Sequence, residues 1–111
     1  MSDISTHILD TALGKPAGGV VLRLEQQTPE GWLLLSEQST NADGRVASMY
    51  GAPLPQGRYR LTADIGAWFA ATDRETLYPQ AQIDFALPSG GGHYHLPFLI
   101  APWGWSTYRG S

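Results

Sequence analysis

Val20-Val21-Leu22-Arg23-Leu24-Glu25 sets Val20, Leu22 and Leu24 on one side of the chain and Val21, Arg23 and Glu25 on the other. A period of two marks a strand with one face in a core and the other toward water. The same period returns downstream. Tyr59, Leu61 and Ala63 alternate with Arg58, Arg60 and Thr62, and Ile83, Phe85 and Leu87 alternate with Gln82, Asp84 and Ala86. Trp32-Leu33-Leu34-Leu35 is a second apolar run, bounded by Gly31 and Ser36 and too short for a helix. Asn41-Ala42-Asp43-Gly44 ends in an Asp-Gly pair that favours a turn with positive φ. Val46 and Met49 then lead into the breaker cluster from Gly51 to Gly57. The last apolar stretch, Tyr94 to Ile100, is interrupted by Pro97, which predicts an edge strand or a bulge.

One segment leaves this rhythm. Ile65, Trp68, Phe69 and Thr72 fall at i, i+3, i+4 and i+7, with Asp64 ahead of them as an N-cap. The spacing predicts one short helix, roughly 64 to 72, that lays Trp68 and Phe69 onto a sheet. Many short strands separated by turns, with a single helix, predict an all-β fold, a two-sheet β-sandwich with one short α-helix. Ser89-Gly90-Gly91-Gly92 reads as a hairpin loop, since a phosphate cradle would need a following helix and a Lys.

Composition narrows the function classes. The 111 residues predict one domain over 1–111. Charged residues make up 15% and the net charge is −3, which argues against nucleic acid as a partner. With no cysteine, disulfides, thiolate catalysis and cysteine-zinc sites are excluded. Met1 to Asp10 has neither a basic start nor an apolar run, unlike a secretory signal. No window approaches the ~20 apolar residues of a spanning helix. The expectation is a soluble cytoplasmic protein without a membrane partner.

Candidate chemistry rests on the three histidines, the arginines and the hydroxyls. His93 and His95 stand at i and i+2 and so share one strand face. A closed zinc site takes about four ligands; only His7 remains, without a nearby carboxylate cluster, so neither a metal nor another cofactor is expected. His7 lies in Ser5-Thr6-His7-Ile8-Leu9-Asp10, where Asp10 either orients a ring or caps the turn before Gly14-Lys15-Pro16. Arg45 follows the Asp-Gly turn, where a side chain can project over the end of a sheet. The chain closes on Ser106-Thr107-Tyr108-Arg109-Gly110-Ser111. A terminus normally frays, so aromatics here followed by a short polar tetrapeptide call for an explanation.

The Tyr-Arg-Gly-Ser ending at 108–111, preceded by His93-Tyr94-His95-Leu96-Pro97, resembles the signature of the 5-hydroxyisourate hydrolases, enzymes of the transthyretin-like family. Ser5-Thr6-His7-Ile8-Leu9-Asp10-Thr11 with Gly14-Lys15-Pro16-Ala17 resembles that family's opening motif, and Thr40-Asn41-Ala42-Asp43-Gly44-Arg45 its central one. Gly57-Arg58-Tyr59-Arg60-Leu61 and Leu77-Tyr78-Pro79 also match, so the likeness runs through nearly the whole chain in order. The terminal tetrapeptide is its specific part, because transthyretin itself lacks this ending. Ala101 replaces a usual Ser, and Trp103 and Trp105 stand where other aromatic or small residues are common.

The resemblance implies a transthyretin-like sandwich assembled as a homotetramer, with active sites at the dimer–dimer interface and a small purine-derived substrate. The implied reaction hydrolyses 5-hydroxyisourate to 2-oxo-4-hydroxy-4-carboxy-5-ureidoimidazoline in urate degradation. His7, Arg45, His95 and Ser111 match the family's catalytic group; His7, Arg45 and Tyr108 match substrate-binding positions. His93 lies in the motif without a matching catalytic role. These residue types suit the chemistry. An imidazole can take a proton from water at cellular pH, and a guanidinium offers a fixed donor fork to the oxygens of a planar heterocycle. Ser111 and its terminal carboxylate can orient a histidine or the water. Either histidine can serve as the base. The alternative is a non-catalytic carrier of small aromatic ligands, which has no need of His7, Arg45 and the terminal tetrapeptide together.

Overall fold

A computed structural model describes residues Met1–Ser111. The elements follow as β1 (Ser2–Asp10), β2 (Lys15–Pro16), β3 (Val21–Thr28), β4 (Gly31–Ser39), β5 (Arg45–Val46), β6 (Gly57–Ala63), α1 (Ile65–Ala71), β7 (Ala81–Leu87), β8 (Gly92–His95), β9 (Phe98–Ala101) and β10 (Gly104–Thr107). The alternating segments β3, β6 and β7 join β4 in an antiparallel sheet of order β4-β3-β6-β7. Leu22, Leu24, Tyr59, Leu61, Ile83 and Leu87 face its buried side. Each large apolar side chain so buried contributes about 1.5–3 kcal/mol. The apolar run Trp32–Leu35 lies in β4, an edge strand, where Leu33 and Leu34 stay about half exposed.

The other sheet is organised around β1. β8 and then β9 pair with it in parallel, while β5 and β2 pair with it antiparallel, and β10 extends the sheet beyond β9. Parallel pairing needs a long crossover; here the whole second sheet and the helix lie between β1 and β8. Along β1 the even positions Ile4, Thr6, Ile8 and Asp10 are buried in the core. The odd positions Asp3, Ser5, His7 and Leu9 must therefore point away from it.

Three local expectations change. Pro97 marks neither an edge nor a bulge but the break between β8 and β9, both of which pair with β1. Ser89–Gly92 is not a hairpin loop, because it carries the chain from β7 in one sheet to β8 in the other. The helix forms over Ile65–Ala71, yet the Asp64 side chain does not cap it. That carboxylate instead takes two hydrogen bonds from the Arg23 guanidinium, each 2.9 Å. Phe69 is buried as expected, and Trp68 donates its indole N–H to Asp10 at 2.9 Å.

Asp10 caps the turn, accepting the Leu13 N–H, and does not orient His7. It is fully buried, with Trp68 and the Arg74 guanidinium closing over it. Burial pushes this carboxyl up, but the hydrogen bonds from Arg74, Trp68 and Leu13 outweigh it and hold Asp10 below the usual carboxylate range.

Candidate active site

Paired residues of neighbouring strands project on the same face. Asp3 pairs with His93, Ser5 with His95, and His7 with Arg45. The outward row of β1 is thereby flanked by two histidines from β8 and one arginine from β5. Residues nearly ninety positions apart become neighbours through register alone. A cleft of about 320 Å³ is lined by Ser5, Asn41, Arg45, His93 and His95, among others, and an adjoining one by His7, Leu9, Asp43 and Arg45. Arg45 borders both.

Each ring is held by its neighbours. His7 donates Nε2–H to the Asp43 carbonyl at 2.8 Å, so its Nδ1 carries the lone pair when the ring is neutral. The turn that supplies this carbonyl is shaped by Gly44, whose φ is 75°. A Cβ there would stand 2.5 Å from the Ile8 carbonyl oxygen, so only glycine fits. Asn41 Oδ1 accepts the N–H groups of Asp43 and Arg45 and braces the same turn. His95 Nδ1 lies 2.8 Å from Ser5 Oγ. Burial first, then the positive fields of Arg45, His7 and His93, push His95 below the ordinary imidazole range, favouring its neutral form.

Arg45 differs from most arginines of the chain. Arg23, Arg58, Arg60 and Arg74 each bridge a carboxylate, whereas the Arg45 guanidinium has no partner within the protein. A free donor fork between two histidines is suited to oxygen atoms of a planar ligand.

The C-terminus is pinned here. Gly110 N–H bonds to the His95 carbonyl at 2.7 Å, and Arg109 stacks over the Tyr94 ring at 4.4 Å. Ser111 follows directly, so the tail crosses beside His95. Of the candidates, His7 and His95 are partly buried, whereas Arg45, Ser111 and Tyr108 are exposed, Tyr108 at 57%. Trp105 packs against Phe98 with ring centroids 6.0 Å apart, which accounts for an aromatic at that position; Trp103 is exposed. Sequence reasoning left out Ser5, Asp43 and Asp3. Ser5 was legible only as the residue two before His7, and the Asp43 contribution is a backbone carbonyl, which side-chain chemistry does not reveal.

A profile of the HIUase/transthyretin family matches residues 4–110. The chain is 44% identical to a 5-hydroxyisourate hydrolase of Caulobacter vibrioides, with all of both chains covered. Its fold superposes on a Klebsiella pneumoniae 5-hydroxyisourate hydrolase with a TM-score of 0.91, at 55% identity and with both chains fully covered. It also superposes on sea bream transthyretin in complex with thyroxine, with a TM-score of 0.90, 28% identity, and coverage of 96% of this chain and 93% of that one.

Proposed function

The chain belongs to the HIUase/transthyretin family, and on that premise we propose that it is a hydrolase acting on 5-hydroxyisourate in urate degradation. Water adds to a ring carbonyl, the C–N bond breaks, and 2-oxo-4-hydroxy-4-carboxy-5-ureidoimidazoline leaves. The observation that carries this reading is the row His95, His7 and Arg45 on one outward sheet face, with Arg45 unpaired. Fold alone does not separate a hydrolase from a carrier, since thyroxine-bound transthyretin shares it. A carrier has no use for two oriented imidazoles beside a free guanidinium.

In this reading His7, Arg45, His95 and Ser111 are catalytic, and His7, Arg45 and Tyr108 contact the substrate. Arg45 donates to the heterocycle's oxygens and stabilises the oxyanion formed when water attacks. A lone-pair nitrogen of His7 or His95 takes the water's proton and returns it to the departing ring nitrogen. Ser111 and its carboxylate orient a histidine or the water. Residues 1–111 act as one domain within a cytoplasmic homotetramer whose sites lie between dimers. Support for assembly comes from Tyr108, matched to a substrate-contacting position yet 57% exposed in the single chain, which suits cover of the site by another copy. No helix is long and apolar enough to cross a membrane.

The test is to add freshly generated 5-hydroxyisourate and follow its ultraviolet decay against the spontaneous rate. Decay no faster than in buffer would sink the proposal. Size-exclusion mass on the same sample checks the tetramer.

A further inference from the structure

We propose that Asp3, His93 and Ser5 form a hydrogen-bonded relay that fixes the tautomer of His95, with the proton on Nδ1 and the lone pair on Nε2. The inference deepens the reading of His95 as a group that acts on the substrate, and it makes Asp3, His93 and Ser5 positioning residues.

The argument is one of donors and acceptors. His93 Nδ1 lies 3.0 Å from Asp3 Oδ2. A carboxylate only accepts, so Nδ1 carries the proton of His93. A neutral imidazole has one N–H, which leaves Nε2 of His93 as an acceptor. Its neighbour, 2.9 Å away, is Ser5 Oγ, and Ser5 therefore donates its single proton to His93. Ser5 Oγ also lies 2.8 Å from His95 Nδ1 and has no second proton to give. That contact is a hydrogen bond only if His95 Nδ1–H donates. The reverse arrangement would set the lone pairs of His93 Nε2 and Ser5 Oγ against each other at hydrogen-bond distance.

Backbone geometry makes the relay durable. The strand register places Asp3 opposite His93 and Ser5 opposite His95, so all four side chains share one face. Ser5 is nearly buried, which limits competition from water. Nε2 of His95 has no hydrogen bond within the protein, and no unpartnered side-chain nitrogen is buried, so this lone pair is open to solvent or substrate.

Protonation of His93 reverses the direction. Both of its nitrogens then donate, Nε2–H points at Ser5 Oγ, and the Ser5 proton turns to His95 Nδ1. His95 gives its Nδ1 proton to solvent and takes one on Nε2, so the net change is the one proton gained by His93. The base becomes a donor. The charged and titratable groups around this chain are Asp3 and His7 on β1, Arg45 on β5, Arg109 across Tyr94, and the Ser111 carboxylate one residue beyond Gly110.

Nitrogen-15 NMR on the full chain with labelled histidine reads the tautomers directly. With His93 neutral, His95 should carry its proton on Nδ1 in the parent protein. Ser5→Ala and His93→Ala should each shift it toward Nε2–H, and lower kcat by about tenfold or more with little change in KM, as when a partner that orients an imidazole is lost. Ser5→Thr, which keeps the hydroxyl, should restore both readouts. An Nε2–H form of His95 in the parent, or an Nδ1–H form that survives Ser5→Ala, would overturn the relay. Full activity in His95→Ala would defeat the catalytic reading of His95 while leaving the NMR result intact, so the two failures are distinguishable.

Discussion

Gly110 touches the ring of His95: a Cβ built on it would stand 2.5 Å from His95 Cδ2, while its N–H reaches the His95 carbonyl at 2.7 Å. No side chain fits between the tail and the ring. Gly110→Ala should displace one or the other and cut turnover by about tenfold or more, because small misplacements at a reacting centre are costly. A kinetic assay and a melting curve on the variant check this, and undiminished kcat would show that the close packing has no catalytic consequence.

Deleting Arg109 to Ser111 removes the Gly110 bond and the stack on Tyr94 together. Terminal residues contribute little stability, and no core residue is lost. Turnover should be abolished while circular dichroism and size-exclusion mass stay those of the parent. Retained hydrolysis would show that the site is complete without the tail.

Replacing His7 or His95 with Ala should lower the rate by roughly 10²-fold or more, the scale of lost acid–base help. Arg45→Lys should also remain impaired, since an ammonium lacks the two-pronged donor geometry. Parent-like kcat/KM in the Lys variant would mean that Arg45 supplies charge alone.

His95 titrates below the ordinary imidazole range because it is partly buried and faces Arg45, His7 and His93. Its NMR titration midpoint should accordingly be low, and should rise toward the ordinary value in Arg45→Gln. In the unfolded chain His95 is free of these effects and takes its proton first as pH falls. Its contribution to stability is therefore lost progressively below the ordinary histidine value, down to the lowered folded one. A midpoint unchanged by Arg45→Gln would remove Arg45 from the list of causes.

Asp10→Ala should destabilise the fold by about 3–5 kcal/mol, since it strips Trp68 and Arg74 of a buried carboxylate partner. The parent carboxyl is held low, so its contribution is present above the ordinary carboxylate value and lost as pH falls through the folded one. Chemical denaturation at neutral and acid pH should show the gap between parent and variant narrowing in acid.

Strand identity was legible in the sequence because the period-two pattern is local. Leu22, Leu24, Tyr59 and Leu61 declare a buried face with no reference to the rest of the chain. Turn chemistry at Asp43-Gly44 and the helix around Trp68 and Phe69 are local in the same sense, and the terminal tetrapeptide with the His7 and His95 motifs marked the family. Tertiary structure decided what no local pattern encodes. Whether Pro97 bulges a strand or divides two depends on β1 lying alongside, and whether Asp10 meets His7 or Trp68 depends on which face of β1 is covered. The pairing of Ser5 with His95 and of His7 with Arg45 is set by register between distant segments, which the summed burial of two sheet faces selects. A hydroxyl that reads as an ordinary strand residue thereby comes to lie between two imidazoles.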